Sequence, residues 1–232
     1  MGQAAIDESK VDGRDARWDD HRQGRHERIL TTAIAMIDAG NGDAGVAAIA
    51  AEAQVPRSVV YRLFKDREDL DEQIRQRIVA GMVAELAPTL ELRGTVRTGV
   101  RRVVATYVAW VQAHAELHRF LGAGSSSHPE RGSAAMIGGK AGFARRAMEL
   151  IDAYLAPQMA PRKVPRGLVA DLANGLVGMI DSAVNGWLVA DPAVRSSPTA
   201  LSRFLAEAAC GQILGAASVA GIEIDLDRRL SA

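Results

Sequence analysis

A short run of basic residues is the segment of this sequence with the clearest capacity for chemistry. Between Arg57 and Arg67 the chain carries four cations and one acid, and Tyr61 lies among them. Guanidinium and ammonium groups bind phosphate oxygens, and arginine can also donate two hydrogen bonds to guanine. The whole chain has 28 Lys+Arg and 28 Asp+Glu, so its formal net charge is zero. Any binding to nucleic acid must therefore come from this local patch and not from bulk charge.

The residues around the basic patch predict two short helices joined by a turn. The first helix is predicted over residues 46–53 and the second over residues 57–64. Apolar residues at helical spacing would lock the two helices together and leave one narrow polar face outside. This layout is typical of a helix-turn-helix motif, whose second helix enters the major groove of DNA. The predicted inward contacts are Ile49, Ala50, Ala53, Val55, Val60 and Phe64.

The outward residues of the second helix divide into two predicted roles. Arg57 can donate a pair of hydrogen bonds to guanine, Ser58 can donate or accept, and Val59 can contact a thymine methyl group. The second role is phosphate binding, for which Tyr61, Lys65 and Arg67 have suitable side chains. A further helix is expected to begin near Arg67, because Asp66 can cap its first backbone N–H groups. The predicted DNA-binding residues are Arg57, Ser58, Val59, Tyr61, Arg62, Lys65 and Arg67.

The rest of the chain predicts helices, because no apolar alternation with a period of two indicates a strand. Residues 1–21 carry charges of both signs and few apolar residues, which favours a disordered arm. The segment from 122 to 133 is rich in Gly and Ser and is predicted to form a loop. We therefore predict an all-α fold. Its predicted helices cover about 25–39, 66–87, 95–121, 142–155, 166–190 and 198–219, with Asp191-Pro192 as the last break.

The segment from Arg25 to Leu70 resembles the DNA-binding domain of TetR family transcriptional regulators. Ile49, Ala50, Val55, Tyr61, Phe64, Glu68 and Leu70 fall at the spacing of that family. The resemblance implies a three-helix helix-turn-helix domain over residues 22–70 and a helical ligand-binding and dimerisation domain over residues 71–232.

Three positions depart from the family pattern. Gln54 stands where the family usually has a turn glycine, Pro56 replaces a capping serine, and Arg67 replaces a phosphate-binding lysine. Arg67 keeps the positive charge. Gln54 must either adopt the left-handed backbone region, which favours glycine, or belong to a different kind of turn.

The last two predicted helices are rich in small residues. A glycine inside a helix costs about 1 kcal/mol relative to alanine, so its repeated use calls for a compensating contact. The family resemblance implies that these helices form a four-helix bundle between two subunits, while tight packing inside one subunit is the alternative. The predicted dimer-interface residues are Gly175, Gly178, Leu201, Phe204, Leu205, Ala208, Ala209, Gln212, Ile213 and Ala216.

Bulky and polarisable residues on the helices that flank the 122–133 loop are candidates for a small-molecule site. An apolar pocket with a few polar groups is the usual recipe for such recognition. An aromatic stripe at helical spacing also forms ordinary core, which is the alternative for each position. The predicted ligand-binding residues are Tyr107, Trp110, His114, Phe120, Met136, Phe143, Met148, Asn174, Asp181 and Trp187.

Several other functions find little support in the sequence. A Gly-rich phosphate loop and a nucleophile elbow are both absent, which disfavours an enzyme. His114 and His118 are one turn apart, but a third metal ligand is lacking, so we predict no metal and no other cofactor. The single Cys210 is expected to be a small buried residue. The apolar stretch 175–190 is interrupted by Asp181 and Asn185, so a soluble cytoplasmic protein with no membrane span is expected.

Taken with these patterns, the family resemblance implies a homodimeric regulator that binds palindromic operator DNA. The expected mode is repression, with release from the operator when a small, largely apolar effector binds. Two alternatives remain open on the sequence. The helical body could serve as a protein-interaction module with vestigial DNA binding, or the same motif could serve an activator.

Overall fold

The computed structural model of the chain describes residues 8–90, 93–123, 134–155 and 166–229. Within these ranges it is helical, and the single β-type contact is an isolated antiparallel bridge between Thr95 and Arg229. The predicted all-α fold class is confirmed. The helices are α1 (Glu8–Asp38), α2 (Val46–Glu52), α3 (Arg57–Leu63), α4 (Arg67–Leu86), α5 (Val96–Ala113), α6 (Ala115–Gly122), α7 (Ala134–Leu155), α8 (Arg166–Val189) and α9 (Pro198–Val219), with a 3-10 turn at Ala87–Leu90.

Helix α1 is longer than the sequence predicts. It begins at Glu8, which corrects the prediction of a disordered arm over residues 8–21; residues 1–7 lie outside the described residues. Helix propagation adds one hydrogen bond for each residue fixed, so a helix nucleated by packing can extend into a polar segment. Buried Ile29, Ala33 and Ile37 supply that packing. The helix ends before Gly40, whose φ is +91°.

The helix-turn-helix segment forms nearly as predicted. Helices α2 and α3 each end one residue earlier than expected, at Glu52 and Leu63. Gln54 has a φ of +53°, so this non-glycine residue does adopt the left-handed region in the turn. Pro56 occupies the N-cap position of α3, where no side chain caps the helix. The turn therefore has left-handed backbone at a residue other than glycine.

Helix α4 starts from a reciprocal set of hydrogen bonds. The Asp66 side chain accepts from the backbone N–H of Asp69 at 2.8 Å, as predicted for an N-cap. Asp69 accepts in return from the backbone N–H of Lys65 at 2.8 Å and from the Gln73 amide at 2.9 Å. The Gln73 bond first, and then the Lys65 bond, hold the pKa of Asp69 below its usual value. This network ties Lys65, just after α3, to the first turns of α4.

The segment predicted as one helix over residues 95–121 is two helices. Helix α5 starts at a capping box formed by Thr95 and Thr98, and it ends at Ala113 with His114 as its C-cap residue. Helix α6 follows directly, with His114 as its N-cap residue. The His114 Nδ1 atom is 2.9 Å from Asp38 Oδ2 at the end of α1. The break has no Gly or Pro signal; it lets α6 turn to pack along α1.

Helices α7, α8 and α9 complete the body. Helix α7 begins at Ala134, eight residues before the predicted start at residue 142. Gly122 belongs to α6, while residues 124–133 of the predicted loop and the Pro157–Pro165 connection lie outside the described residues. Helices α8 and α9 confirm the predicted ranges to within one residue, and Ser197 caps α9 ahead of Pro198. The predicted break at Asp191-Pro192 separates them.

One continuous hydrophobic core joins the helix-turn-helix segment to the body. Its buried residues run from α1 through α6 and continue into α8 and α9. Helix α4 contributes along its whole length, from Leu70 near α3 to Leu86 at its C-terminal end. A displacement of α4 would therefore be transmitted to the position of α3, because packed interiors are stiff.

Helix α8 is the most apolar long helix in the described part of the chain. The segment Gly167–Val189 is long and apolar enough to cross a membrane, by length and composition alone, with a mean hydropathy of 1.3. Only 17% of that window is buried inside the subunit. Helix α8 packs against α7 and α9.

Candidate nucleic-acid interface and ligand cavity

Helix α3 presents a narrow polar face to solvent. Arg57, Ser58, Arg62 and Lys65 are exposed, and Val59 is half-buried. Tyr61 keeps 49% of its surface exposed. The buried side of the helix is closed by Val60 and Phe64, which are 1% and 2% exposed. The structure thus brings the residues predicted for DNA contact onto one surface.

Two of these side chains are paired with each other. The Arg57 Nη2 atom donates a hydrogen bond to the Tyr61 hydroxyl at 2.9 Å, and its guanidinium carbon lies 5.3 Å from the centre of the Tyr61 ring. The residues are one helical turn apart, so the pair fits the geometry of i,i+4 contacts. The bond to Tyr61 uses one of the five N–H donors of the guanidinium, so others remain for a base or a phosphate.

Arg67 has an internal role that sequence reasoning missed. Its Nε donates to Asp71 Oδ1 at 2.8 Å, and its Nη1 donates to the Ala44 carbonyl at 2.6 Å. Asp71 is only 4% exposed, so its carboxylate depends on this partner. The guanidinium ties the loop before α2 to the first turn of α4. The predicted phosphate contact of Arg67 remains a prediction beside this bracing role.

His26 is a second residue of the motif that sequence reasoning missed. Its ring stacks on Phe64 with a centroid distance of 4.8 Å, and its Nε2 lies 2.8 Å from Gln73 Oε1 on α4. These contacts join α1, the end of α3 and α4. A histidine one residue after Arg25, where the apolar stripe of α1 begins, was the available signal.

The body contains an elongated cavity of about 270 Å³ between α4, α5, α7, α8 and α9. It is larger than the roughly 150 Å³ that holds a benzene-sized molecule in an apolar interior. Four predicted ligand-binding residues line it: Tyr107, Met136, Phe143 and Asp181. Most of the other lining residues are aliphatic, such as Leu86, Val103, Leu172 and Ile180.

A small polar cluster lies at one end of this cavity. Lys140 Nζ is 2.8 Å from Asp181 Oδ2, and both residues line the cavity. The Tyr107 hydroxyl is 3.1 Å from His118 Nε2, and His118 is 2% exposed. Burial raises the pKa of Tyr107, and the nearby Asp181 carboxylate raises it further. Burial lowers the pKa of His118, so its ring is neutral near pH 7.

Six predicted ligand-binding residues lie outside this cavity lining. Trp110 is core and borders a shallower pocket against α1 and α4, while His114 bonds to Asp38 at the helix break. Phe120 packs under the Arg75 guanidinium, 4.8 Å from its ring centre. The Trp187 ring is buried, and its Nε1 donates to the Ser196 carbonyl at 2.8 Å. Each of these four side chains already has a structural partner. Met148 and Asn174, the remaining two, are half-buried and exposed.

The predicted dimer residues divide between the interior and the surface of the subunit. Leu201, Leu205 and Ala209 are 7%, 0% and 2% exposed, so they face the interior and are corrected as interface residues. Gly175 and Gly178 are exposed on α8, and Phe204 is 65% exposed on α9. The other four, Ala208, Gln212, Ile213 and Ala216, are half-buried, and Ile213 and Ala216 also line the cavity.

Two remaining expectations concern single side chains. Cys210 is buried, and burial raises the pKa of its thiol, in agreement with the expected small apolar role. Among the described residues, no group of three His, Cys, Asp or Glu side chains is placed to hold a metal ion. His114 and His118 bond to different partners, Asp38 and Tyr107.

The fold and the exposed basic helix define an all-α protein with a helix-turn-helix surface. Solved structures of the same fold include a TetR-family transcriptional regulator from Streptomyces coelicolor, with a TM-score of 0.65 and 19% identity over 85% of this chain and 83% of that one. A TetR-family regulator from Rhodococcus sp. has a TM-score of 0.61 and 17% identity over 82% and 98%. The transcriptional regulator FadR from Bacillus subtilis, solved in complex with stearoyl-CoA, has a TM-score of 0.57 and 16% identity over 78% of this chain and 95% of that one.

The sequence comparison also finds a helix-turn-helix regulator. The uncharacterized HTH-type transcriptional regulator Rv0472c of Mycobacterium tuberculosis is 28% identical over 192 residues, which are 81% of this chain and 77% of the relative. No protein-family model matches the chain. The predicted resemblance to TetR family transcriptional regulators is confirmed at the level of the fold, over 78–85% of the chain.

Proposed function

We propose that this protein is a dimeric, cytoplasmic transcriptional repressor that binds operator DNA through α3 and releases it when an apolar effector fills the body cavity. The observation that carries the proposal is the exposed basic face of α3, held by a buried core on its other side. A helix that enters the major groove needs this combination of a polar outer face and a fixed inner face. The HTH-type regulator among the relatives supports the same function.

Dimerisation would explain why small residues are exposed on one side of α8. This side carries Gly175, Gly178 and Gly186, and Phe204 is exposed on the neighbouring α9. Small residues let helix backbones approach closely, and burial of apolar surface drives association. A two-fold dimer through α8 and α9 would present two α3 helices to a palindromic operator. Successive major-groove faces lie about 34–36 Å apart, so the two helices must keep that separation.

The cavity supports an effector that is mainly hydrocarbon. Its walls are aliphatic along most of their length, and a ligand of that kind gains free energy from leaving water. The fold neighbour FadR of Bacillus subtilis was solved with stearoyl-CoA, whose acyl chain has this apolar character. That likeness concerns the fold, and the effector of this chain is inferred from its own cavity walls.

Helix α4 offers the mechanical connection between cavity and DNA surface. Met82 and Leu86 at its C-terminal end line the cavity. At its start, Arg67 donates to the Ala44 carbonyl ahead of α2, and Asp69 accepts from the backbone N–H of Lys65 just after α3. A ligand shifts a conformational equilibrium only if it binds the two states with different affinity. We infer that a filled cavity favours an α4 position in which the two α3 helices no longer fit successive grooves.

The test is a fluorescence anisotropy titration of the full-length protein with a duplex covering the DNA upstream of its own coding sequence. We expect nanomolar-to-micromolar binding that Lys65→Ala weakens for all duplexes, with a salt slope lower by about one. Arg57→Ala should instead alter sequence preference. Arg146→Ala, an exposed arginine of α7 paired with Glu149, is the matched control and should change neither quantity. Equal weakening by Arg146→Ala and Lys65→Ala would contradict the assigned surface.

A further inference from the structure

The cluster of Tyr107, Lys140 and Asp181 lies at one end of the cavity, which we call the polar end. Most of the other lining residues are aliphatic, and Thr89, Arg93 and Thr95 are further polar residues of the lining. The ion pair between Lys140 on α7 and Asp181 on α8 marks the polar end. Leu150 and Leu168, which also line the cavity, lie ten and thirteen residues away on the same helices. At about 1.5 Å per helical residue, these distances correspond to roughly 15–20 Å along the helix axes. A ligand that fills the cavity is therefore elongated, with one end among polar groups.

Tyr107 supplies the polar end with a hydroxyl group held by a buried neighbour. The hydroxyl lies 3.1 Å from His118 Nε2, and the two rings meet edge to face with centroids 6.2 Å apart. Tyr107 lines the cavity, whereas His118 lies behind it. Burial and the Asp181 carboxylate both raise the pKa of Tyr107, so the hydroxyl keeps its proton.

The tautomer of the His118 ring determines whether the Tyr107 hydroxyl hydrogen is free to bond to another acceptor. The ring is neutral, so one nitrogen carries a hydrogen and the other accepts. Among the described residues, the buried Nδ1 atom has no hydrogen-bond partner. An orphaned buried N–H group is rarer in proteins than an under-satisfied acceptor. The favoured tautomer thus has the hydrogen on Nε2, where it donates to the Tyr107 oxygen and leaves the Tyr107 hydrogen available to another acceptor.

The charges around this hydroxyl cancel. Lys140 and Asp181 neutralise each other at 2.8 Å, and the side chain of Asp181 is only 17% exposed. An ionised ligand group placed here would lose its hydration and compete with an existing ion pair, which is costly. A neutral oxygen loses much less hydration and can still accept one hydrogen bond.

We propose that the Tyr107 hydroxyl, positioned by His118, donates a hydrogen bond to an uncharged oxygen, such as a ketone or alcohol, at one end of an elongated apolar ligand. This inference rests on the proposed ligand-binding function of the cavity and specifies the chemical class of the ligand. The Lys140–Asp181 ion pair excludes ionised head groups from the same end. The aliphatic walls then bind the remainder of the ligand.

The test compares eight-carbon probes with different head groups on the full-length protein by isothermal titration calorimetry. Methyl hexyl ketone and octanol carry neutral oxygens, while octanoate and octylammonium are ionised. We expect the neutral probes to bind at least about tenfold more tightly than the ionised ones. Tyr107→Phe keeps the ring and should weaken ketone binding about threefold to tenfold, as one hydrogen bond is lost. Its affinity for octanoate should not change.

His118 is tested by the ratio of ketone affinity to octanoate affinity, which a merely structural role would not alter. His118→Leu should lower this ratio, and His118→Gln, which can still donate to the Tyr107 oxygen, should restore it. Thermal unfolding without probe identifies any variant that fails to fold. A ketone affinity unchanged by Tyr107→Phe, or octanoate binding tighter than ketone, would overturn the head-group assignment and leave a ligand-regulated repressor in place. If no probe binds while the protein still binds operator DNA, the cavity assignment fails, and the DNA-binding part of the proposed function stands.

Discussion

The Arg67 guanidinium and the Asp71 carboxylate form a 2.8 Å ion pair within the first turns of α4. The Asp71 side chain is 6% exposed, and the same guanidinium reaches the Ala44 carbonyl ahead of α2. The residue at the position that the family resemblance assigns to phosphate binding therefore ties the loop before α2 to the start of α4. This internal pairing separates Arg67 from the exposed basic residues Arg57, Arg62 and Lys65.

Arg67→Ala should lower both stability and DNA affinity. It leaves a buried carboxylate and a carbonyl without their donor, which costs about 1–3 kcal/mol in the free energy of unfolding. Arg67→Lys should recover only part of the loss, because an ammonium group cannot span both acceptors with the fixed fork of a guanidinium. Urea denaturation measures this. Arg62→Ala, on the exposed face of α3, should stay within about 0.5 kcal/mol of wild type; an equal loss in both variants would refute the bracing role.

Gln54 stands in the turn at a φ of +53°, where a side chain is disfavoured. Gln54→Gly should raise the free energy of unfolding by up to about 1 kcal/mol, because glycine adopts this region without a steric penalty. Ala51→Gly, in exposed helical backbone of α2, is the contrasting control and should cost about 1 kcal/mol. In thermal unfolding, we expect the melting temperature to rise in Gln54→Gly and to fall in Ala51→Gly. A loss of stability in Gln54→Gly would contradict strain at this turn.

The sequence predicts the local features of this fold well. The Asp66 cap, the α2–α3 turn and the ends of α8 and α9 each depend on residues that are close in the chain, such as Pro198 after Ser197. The break at His114 was missed because its cause is the distant Asp38 on α1. The early start of α7 was missed for a similar reason. Gly138 and Gly139 indicate a turn locally, but the contact of α7 with α4 holds them in a helix.

The candidate sites, too, were predictable where they depend on residues close in the chain and were missed where they depend on distant ones. The exposed face of α3 was predictable, because a helix of seven residues offers few choices of buried side. The cavity was predictable only in part. Tyr107 and Asp181 line it, whereas Trp110 and Trp187 lie in the core, since helical periodicity cannot tell a filled interior from an empty one. The partner of Tyr107, His118, lies eleven residues away on another helix.

Gly139 marks the closest approach between α7 and α4. A Cβ atom built there would lie 2.8 Å from Val79 Cγ1, whereas at Gly138 it would meet nothing within 4 Å. Both residues are helical, so each alanine substitution gains about 1 kcal/mol of helix propensity. Gly138→Ala should therefore raise the melting temperature, while Gly139→Ala should lose this gain to the contact with Val79. A melting temperature raised equally by both variants would argue against tight packing of α7 on α4.

The neutral His118 makes stability depend on pH. Burial lowers its folded-state pKa, so below about pH 6.5, the ordinary histidine value, the unfolded chain binds a proton that the folded chain resists. The free energy of unfolding should fall as pH decreases from 7 through this range. His118→Gln should flatten that fall, and His21→Gln, at an exposed site, should not. Urea denaturation at a series of pH values measures these profiles. Identical profiles for His118→Gln and wild type would show that His118 is not the group responsible.

The proposed dimer surface can be tested at Gly178 without disturbing the interior of the subunit. A Cβ atom at Gly178 would meet nothing within 4 Å, and the residue is exposed on α8. The Gly178→Leu subunit should therefore fold as the wild type does, whereas the added side chain should prevent close approach of two α8 helices. We expect the dimer dissociation constant to rise at least about tenfold, equivalent to about 1.4 kcal/mol, in sedimentation velocity.

Gly138→Leu is the matched control, because Gly138 is also an exposed helical glycine with open space around it. It should leave the sedimentation coefficient unchanged. Operator affinity should fall with the dimer in Gly178→Leu alone, since one α3 helix reads only a half-site. If Gly178→Leu remains dimeric and binds the operator as wild type does, the subunits meet through another surface, and the exposed glycines of α8 require a different explanation.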